Sequence, residues 1–290
     1  MFYSKPVTDI IKQRFSCRTY LDTPIADEER QRLAEFISSV KIGPVGAPMR
    51  FALVAATKQD RSSLRGLGTY GFIKGATGFI VGAVEPSEKN LEDYGYGMER
   101  AILFATDLEL GTCWLGGTFH KSSFAKKIAA TDGEVMPAVT SIGYIADESR
   151  SGDSVRQRAG ANSRQPWENL FFQKRFEVSL SLEEAAAYAV PLEMVRLGPS
   201  ASNKQPWRII KDGNAWHFYL QRTRGYGDGL AFKLLRLADL QRVDMGIAMC
   251  HFELTAHELG LKGQWIIQEP EIEQPDGLTE YTVSWVEEQI

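Results

Sequence analysis

The sequence predicts an α+β protein made of two diverged copies of one unit in a single chain, and three observations predict it. Two long helical stretches with similar ends recur about 150 residues apart. Each is preceded by a Gly-Pro loop that runs into a strand, and each loop is preceded by an amphipathic helix. That offset is too long for a solenoid repeat and suits a duplicated domain.

In chain order, residues 26–41 (ADEERQRLAEFISSVK) place Leu33, Phe36, Ile37 and Val40 on one helical face. Ile42-Gly43-Pro44 then leads to the strand RFALVAA, and GFIVGAV reads as a second strand. From Asp93, DYGYGMERAILFATDLELGTCWLGG puts Met98, Ala101, Ile102, Ala105 and Leu108 at helical spacing. Leu103 and Phe104 spread the apolar character around that helix, which predicts burial on most sides. The second copy opens with a helix over SLEEAAAYAVPLEMVRL, and Leu197-Gly198-Pro199 leads through Trp207 to RIIKDGNAWHFYL. From Gln241, QRVDMGIAMCHFELTAHELGLKGQW repeats the central helix. Aligned on Glu-Leu-Gly, Gly97 meets Gly246, Thr106 meets Thr255 and Glu109-Leu110-Gly111 meets Glu258-Leu259-Gly260. The closing glycines suit the position just past a helix end. The copies divide as residues 1–172 and 173–290. Gln-Pro-Trp at 165–167 and again at 205–207 does not fit the long offset and is unrelated to it.

Composition narrows the function. The chain has 290 residues, 43% hydrophobic and 24% charged, with net charge −4, so a packed core is expected and a basic nucleic-acid surface is not. No apolar run is long enough to span a bilayer, and the N-terminal MFYSKPVTDIIKQRFS lacks a signal peptide's pattern. Three scattered cysteines give neither a disulfide framework nor metal spacing. The expectation is a cytoplasmic chain with no membrane, nucleic-acid or metal partner.

Four segments carry candidate chemistry. Arg14-Phe15-Ser16-Cys17-Arg18 offers two guanidinium groups around a hydroxyl, a donor set matched to phosphate oxygens. The run Gly198 to Trp207 (GPSASNKQPW) supplies hydroxyls, an amide pair and a rigid proline before a strand. Cys113-Trp114-Leu115-Gly116-Gly117, after the buried helix, lets backbone approach a flat ligand closely. Ser163-Arg164-Gln165-Pro166-Trp167 adds a late arginine.

Together these segments resemble the nitroreductase superfamily of FMN-dependent flavoproteins, and the specific match is Pro199-Ser200-Ala201-Ser202-Asn203-Lys204-Gln205-Pro206-Trp207. The resemblance implies an antiparallel-type sheet flanked by helices in each copy, paired as an internal pseudo-dimer that is monomeric as a chain. It implies FMN as cofactor, NAD(P)H as transient donor, and a small nitroaromatic or quinone-like acceptor. Reductive dehalogenase-like chemistry, or flavin binding without turnover, are the alternatives. Arg14, Ser16 and Arg164 would hold the phosphate beside Phe15, and Arg18 would reach the phosphate or the N1/O2 edge. Leu115, Gly116 and Gly117 would face the ring. Pro199, Ser200, Ala201, Ser202, Asn203 and Gln205 would come from the second copy. The first copy's own loop has shrunk to Gly43–Met49, and the second copy lacks an Arg-x-Ser-x-Arg and paired glycines, so one site is expected. No side chain is required as acid or base, because the cofactor carries the chemistry.

Other signals are set aside. Gly66-Leu67-Gly68-Thr69-Tyr70-Gly71 follows a polar run and precedes a strand, the reverse of a dinucleotide-binding turn. His251 and His257 are six apart, which is not zinc-helix spacing, and read as core or surface residues. The cysteines read as small core residues, with Cys17 the one candidate for reactivity.

Overall fold

In the computed structural model of the chain, which describes residues 2–117, 119–146, 157–158, 160–227 and 238–288, the two apolar helical stretches lie against each other at the centre. The first half contains α1 (Val7–Gln13), α2 (Asp27–Ser39), β1 (Met49–Ala55), β2 (Gly78–Val84), α3 (Asn90–Asp107), β3 (Gly111–Leu115), α4 (Lys121–Lys127) and β4 (Val139–Gly143). The second contains β5 (Phe171–Gln173), β6 (Arg175–Ser179), α5 (Leu182–Ala185), α6 (Ala189–Leu197), β7 (Trp207–Asp212), β8 (Ala215–Gln221), α7 (Leu240–Glu258), β9 (Gly263–Ile266) and β10 (Thr279–Glu287). Among the described residues no helix is long and apolar enough to cross a membrane.

The sheets repeat one order. The first runs β1-β2-β4-β3, all antiparallel, and the second contains β7-β8-β10-β9 in the matching places. The second sheet is extended by β5, parallel to β7, and by β6 beyond it. The strand β5 spans the boundary at residue 172 and belongs to the second half's sheet. It brings the two Gln-Pro-Trp segments together, where the Gln165 N–H donates to Gln205 Oε1 at 2.8 Å. The tripeptides are thus neighbours in space.

Every residue of α3 except Arg100 is buried, as its all-round apolar pattern predicts. Where α3 crosses α7 the backbones meet at Gly95 and Gly246. A Cβ on Gly95 would overlap the Val243 carbonyl oxygen, and one on Gly246 would overlap that of Glu92. These are reciprocal contacts 151 residues apart, and the helix ends agree: Leu110 N–H bonds Ala105 O and Leu261 N–H bonds Ala256 O, both at 2.9 Å. The Glu-Leu-Gly alignment, at 149, therefore runs two residues out of step, and Gly95, not Gly97, is the partner of Gly246. The same shift corrects the first helix stop. Its left-handed residue is Glu109 (φ 63°), where the second has Gly260 (φ 75°), while Gly111 opens β3 in ordinary geometry.

The amphipathic helix of residues 26–41 forms as α2, with Leu33, Phe36 and Ile37 buried against the first sheet and α3. The helix expected over 181–197 breaks instead. Ser181 and Glu184 make a capping box for α5, Ala186 turns left-handed (φ 51°), and α6 restarts at Ala189. Pro191 explains the restart: inside one long helix it would clash with the preceding turn, but in a first turn its missing N–H costs nothing.

Candidate functional site

Helix α1 sets the position of the Arg14–Arg18 segment. Val7, Ile10 and Ile11 are buried in the second half's core, and the Thr8 N–H and hydroxyl both donate to the Glu258 carboxylate of α7. The helix ends at Arg14, whose extended backbone sends the chain alongside β3, with Cys17 N–H on Thr112 O at 2.8 Å. Cys17 itself is fully buried, its Sγ 3.3 Å from Thr19 O, which removes it as a reactive thiol.

The opposite wall is the loop after α6. Asp244 on α7 accepts the Ala201 N–H, Ser200 Oγ accepts the Gln205 N–H, and the Asn203 amide donates to Gly160 O at 2.7 Å. Three of its residues, Ser202, Asn203 and Gln205, hold left-handed backbone (φ 49–55°), unusual for side-chain-bearing residues and costing about 1 kcal/mol or more each. Asp244 is buried, and that burial pushes its carboxyl well above the usual carboxylate range against the opposing Ala201 N–H. Asp93, its counterpart on α3, accepts Val45 and Ala47 N–H from the first half's loop, and burial raises it to about 6.

Between these walls lies a cleft of about 660 Å³. It gathers ten of the expected residues from both halves: Arg14, Phe15, Ser16 and Arg18 from one segment, Leu115 from β3, Arg164, and Pro199, Ser200, Ser202 and Asn203 from the loop. Lys12 joins them, and among the described residues no carboxylate lines the cleft, in a chain of net charge −4. Gly116 and Gly117 are not brought into it. They line an adjoining hollow of about 350 Å³ with Tyr70, His120 and Lys121. They follow β3 and not a helix, and Gly116 packs against the Leu240 side chain, which a Cβ there would push aside. Ala201 and Gln205 also stay outside the cleft. Gln205 is 3% exposed and spends its amide on Gln165 N and Asn203, so its role here is to shape the loop. Arg164 donates to Ala161 O, Ser163 O and Leu197 O, tying the end of the first half to the base of the loop.

At the cleft floor lies a charged cluster that sequence reading passed over. Arg14, its side chain 6% exposed, has no hydrogen-bond partner for Nε or Nη1, and its Nε is 3.7 Å from Glu99 Oε1. Glu99 of α3 is fully buried. It accepts from Trp114 Nε1 at 2.8 Å and lies 3.0 Å from His251 Nε2 of α7, whose Nδ1 is 2.8 Å from Met194 O. Burial pushes the Glu99 carboxyl up, but His251, Arg14 and Trp114 outweigh it and hold it below its ordinary value. Burial also pushes the Arg14 guanidinium down against the opposing charge of Glu99. A buried cation with unspent donors favours an incoming anion. The signal was available: a glutamate inside a helix predicted to be buried all round must find partners.

A solved structure shares this architecture. A "putative nitroreductase" from Thermotoga maritima aligns over 97% of this chain and 94% of its own at 20% identity, with a TM-score of 0.59, so the fold extends through both halves. A "putative nitroreductase" in complex with FMN from Desulfovibrio desulfuricans covers 56% of this chain and 93% of its own at 23% identity, TM-score 0.41. No curated protein matches the chain. The family model "Putative TM nitroreductase" matches residues 6–256, and the chain belongs to that nitroreductase family.

Proposed function

We propose that the chain is an FMN-dependent oxidoreductase that holds one flavin across the cleft between its halves. The observation that carries this reading is Arg14: a buried guanidinium with two unspent donors, beside Ser16, Arg18 and Lys12, in a cleft that no carboxylate lines among the described residues. That donor set fits a phosphate monoester of roughly −1.5 to −2 charge. Arg14, Ser16 and Arg18 would grip the phosphate, with Arg164 closing the far side by holding the loop to Leu197 O. Ser200, Ser202 and Asn203 would meet the polar edge, and Leu115 the ring. Bound FMN supplies hydride acceptance and donation at N5. The chain's contribution is to bind, orient and partly desolvate it. The proposed donor is NAD(P)H, and the proposed acceptor is a small nitroaromatic or quinone-like molecule.

We also infer that the halves are diverged copies of one unit, supported by the repeated sheet order and the reciprocal contacts 151 residues apart. A chain that carries both walls needs no second subunit to complete the cleft, and it should run as a monomer on size exclusion.

The test is optical and stoichiometric. The purified chain should take up one FMN, turn yellow, and bleach anaerobically with NADH or NADPH. Yellow protein that neither nicotinamide bleaches would indicate binding without turnover. Protein that takes up no FMN would refute the reading, and two FMN per chain would refute the single site.

A further inference from the structure

The contacts of Glu99 raise a question that the flavin reading leaves open. A buried carboxylate beside a buried guanidinium would be expected to close into a bidentate pair. Here it does not: Arg14 Nε stands 3.7 Å from Oε1, beyond hydrogen-bond reach, and keeps two donors unspent. The reason lies on the other side of the carboxylate. Trp114 Nε1 takes Oε2 at 2.8 Å and His251 Nε2 takes Oε1 at 3.0 Å. The His251 Nδ1 contact is to a carbonyl, Met194 O at 2.8 Å, which can only accept, so Nδ1 carries a proton. The ring thus bridges Met194 O and Glu99 Oε1 and fixes the carboxylate from the α7 side.

We propose that His251 is a positioning residue: by engaging Glu99 from the α7 side it keeps that carboxylate off Arg14, and so leaves the Arg14 guanidinium for an anionic group in the cleft. On the flavin reading above, on which this rests, that group is the FMN phosphate. The arrangement joins the halves, because Arg14 and Glu99 come from one, His251 from the other, and the Gly198 turn that starts the loop packs over His251. Without the ring, Glu99 loses a donor and closes on Arg14, whose attraction for the phosphate is then spent internally.

Affinities for FMN and for riboflavin, which lacks the phosphate, separate this role from a general structural one. They would be measured by flavin fluorescence on the flavin-stripped full chain for wild type, His251→Leu, Glu99→Gln and the double variant. His251→Leu should weaken FMN about tenfold, the scale of one charge-assisted hydrogen bond, and riboflavin less than about twofold. Adding Glu99→Gln should bring FMN affinity back to within about threefold of wild type, because the competing charge is gone. If His251→Leu does not fold, His251→Asn, which keeps a donor near Met194 O but is too short for Glu99, carries the same expectation. Equal losses for both flavins, unchanged FMN affinity, or no recovery in the double variant would each overturn the proposal while leaving the flavin site standing. A wild-type chain that binds neither flavin would overturn the flavin reading and this proposal with it.

Discussion

Gly246→Ala tests whether the crossing of α3 and α7 holds the halves in register. A Cβ at Gly246 would overlap the Glu92 carbonyl oxygen and lie 2.7 Å from the Tyr96 nitrogen, and neither backbone atom can swing aside. Restoring a normal carbon contact of about 3.5 Å requires the helices to part by roughly 1 Å or more. Overpacking costs about 1–3 kcal/mol, and a clash against backbone belongs at the upper end. Alanine returns about 1 kcal/mol of helix propensity, leaving a net loss of about 2 kcal/mol. For a chain of this size that lowers the midpoint by about 4 °C. Gly97→Ala is the control. Its Cβ would meet Met49 Sδ at 2.6 Å, Phe51 Cε2 at 3.0 Å and Val40 Cγ1 at 3.2 Å, all side-chain atoms that can shift. Its net cost should stay below about 1 kcal/mol after the same propensity gain. Thermal unfolding followed by circular dichroism reads both variants. A Gly246→Ala midpoint at or above wild type, or below-wild-type melting confined to Gly97→Ala, would refute the crossing argument.

Arg14→Ala should weaken FMN binding at least tenfold while changing riboflavin binding little, read by fluorescence titration, since a charge-assisted grip is worth about 1.5–3 kcal/mol. Ser202→Val should also weaken FMN binding, because a β-branched residue does not tolerate the φ of 51° there; an unchanged affinity would show that the loop's shape does not matter. Glu109→Gly should raise the midpoint by about 2 °C, relieving about 1 kcal/mol of left-handed strain at the cost of an exposed pair with Lys5. Asp93 gives a pH signature. Burial raises its folded pKa to about 6, above the unfolded value of about 3.9, so the folded state favours the protonated form. Its contribution is therefore greatest below about pH 4 and falls away as pH rises through about 6, by at most roughly 3 kcal/mol. Denaturant titrations from pH 4 to 7 should show a shallower pH slope in Asp93→Asn than in wild type.

Much of this arrangement was legible because it rests on local pattern. The stripe of Leu33, Phe36 and Ile37, the all-round burial of α3 and the hydroxyl-rich loop at 199–205 each follow from residue type at a spacing. What was missed depends on three-dimensional partners. The two-residue error in register arose because Glu109 occupies a position normally given to glycine, so the sequence match fell on Gly111 instead. The break at Ala186 needed the proline five residues later to be read as a first-turn residue. Gln205 resembles a ligand residue by its motif, yet its amide is consumed by its loop neighbour Asn203 and by Gln165, which comes near only because β5 joins the second sheet. Glu99 and His251 are 152 residues apart, and nothing in either neighbourhood names the other.

The two Gly-Pro loops show how one architecture yields unequal loops. Each is held by an aspartate on a central helix, and Asp93 and Asp244 stand 151 residues apart. In the first half the carboxylate takes two N–H groups, Val45 and Ala47, and a Cβ on Gly43 would overlap it. The loop closes on itself as well, with Gly43 N–H on Ala47 O and Gly46 N–H on Gly43 O. Its side chains, Val45, Ala47 and Pro48, carry no donor, and its backbone donors are spent. In the second half Asp244 takes one N–H, and the remaining backbone bonds fold the loop so that Ser200, Ser202 and Asn203 face the cleft. That shape needs three left-handed residues with side chains, a cost the tighter loop avoids by placing its one positive φ at Gly46. Strain of this kind persists where surrounding structure enforces it, and it clusters at ligand-binding walls. The unequal strain thus separates the loop that lines the cleft from the loop that only packs, and Lys12, Arg14 and Arg18 line the same cleft from the α1 side.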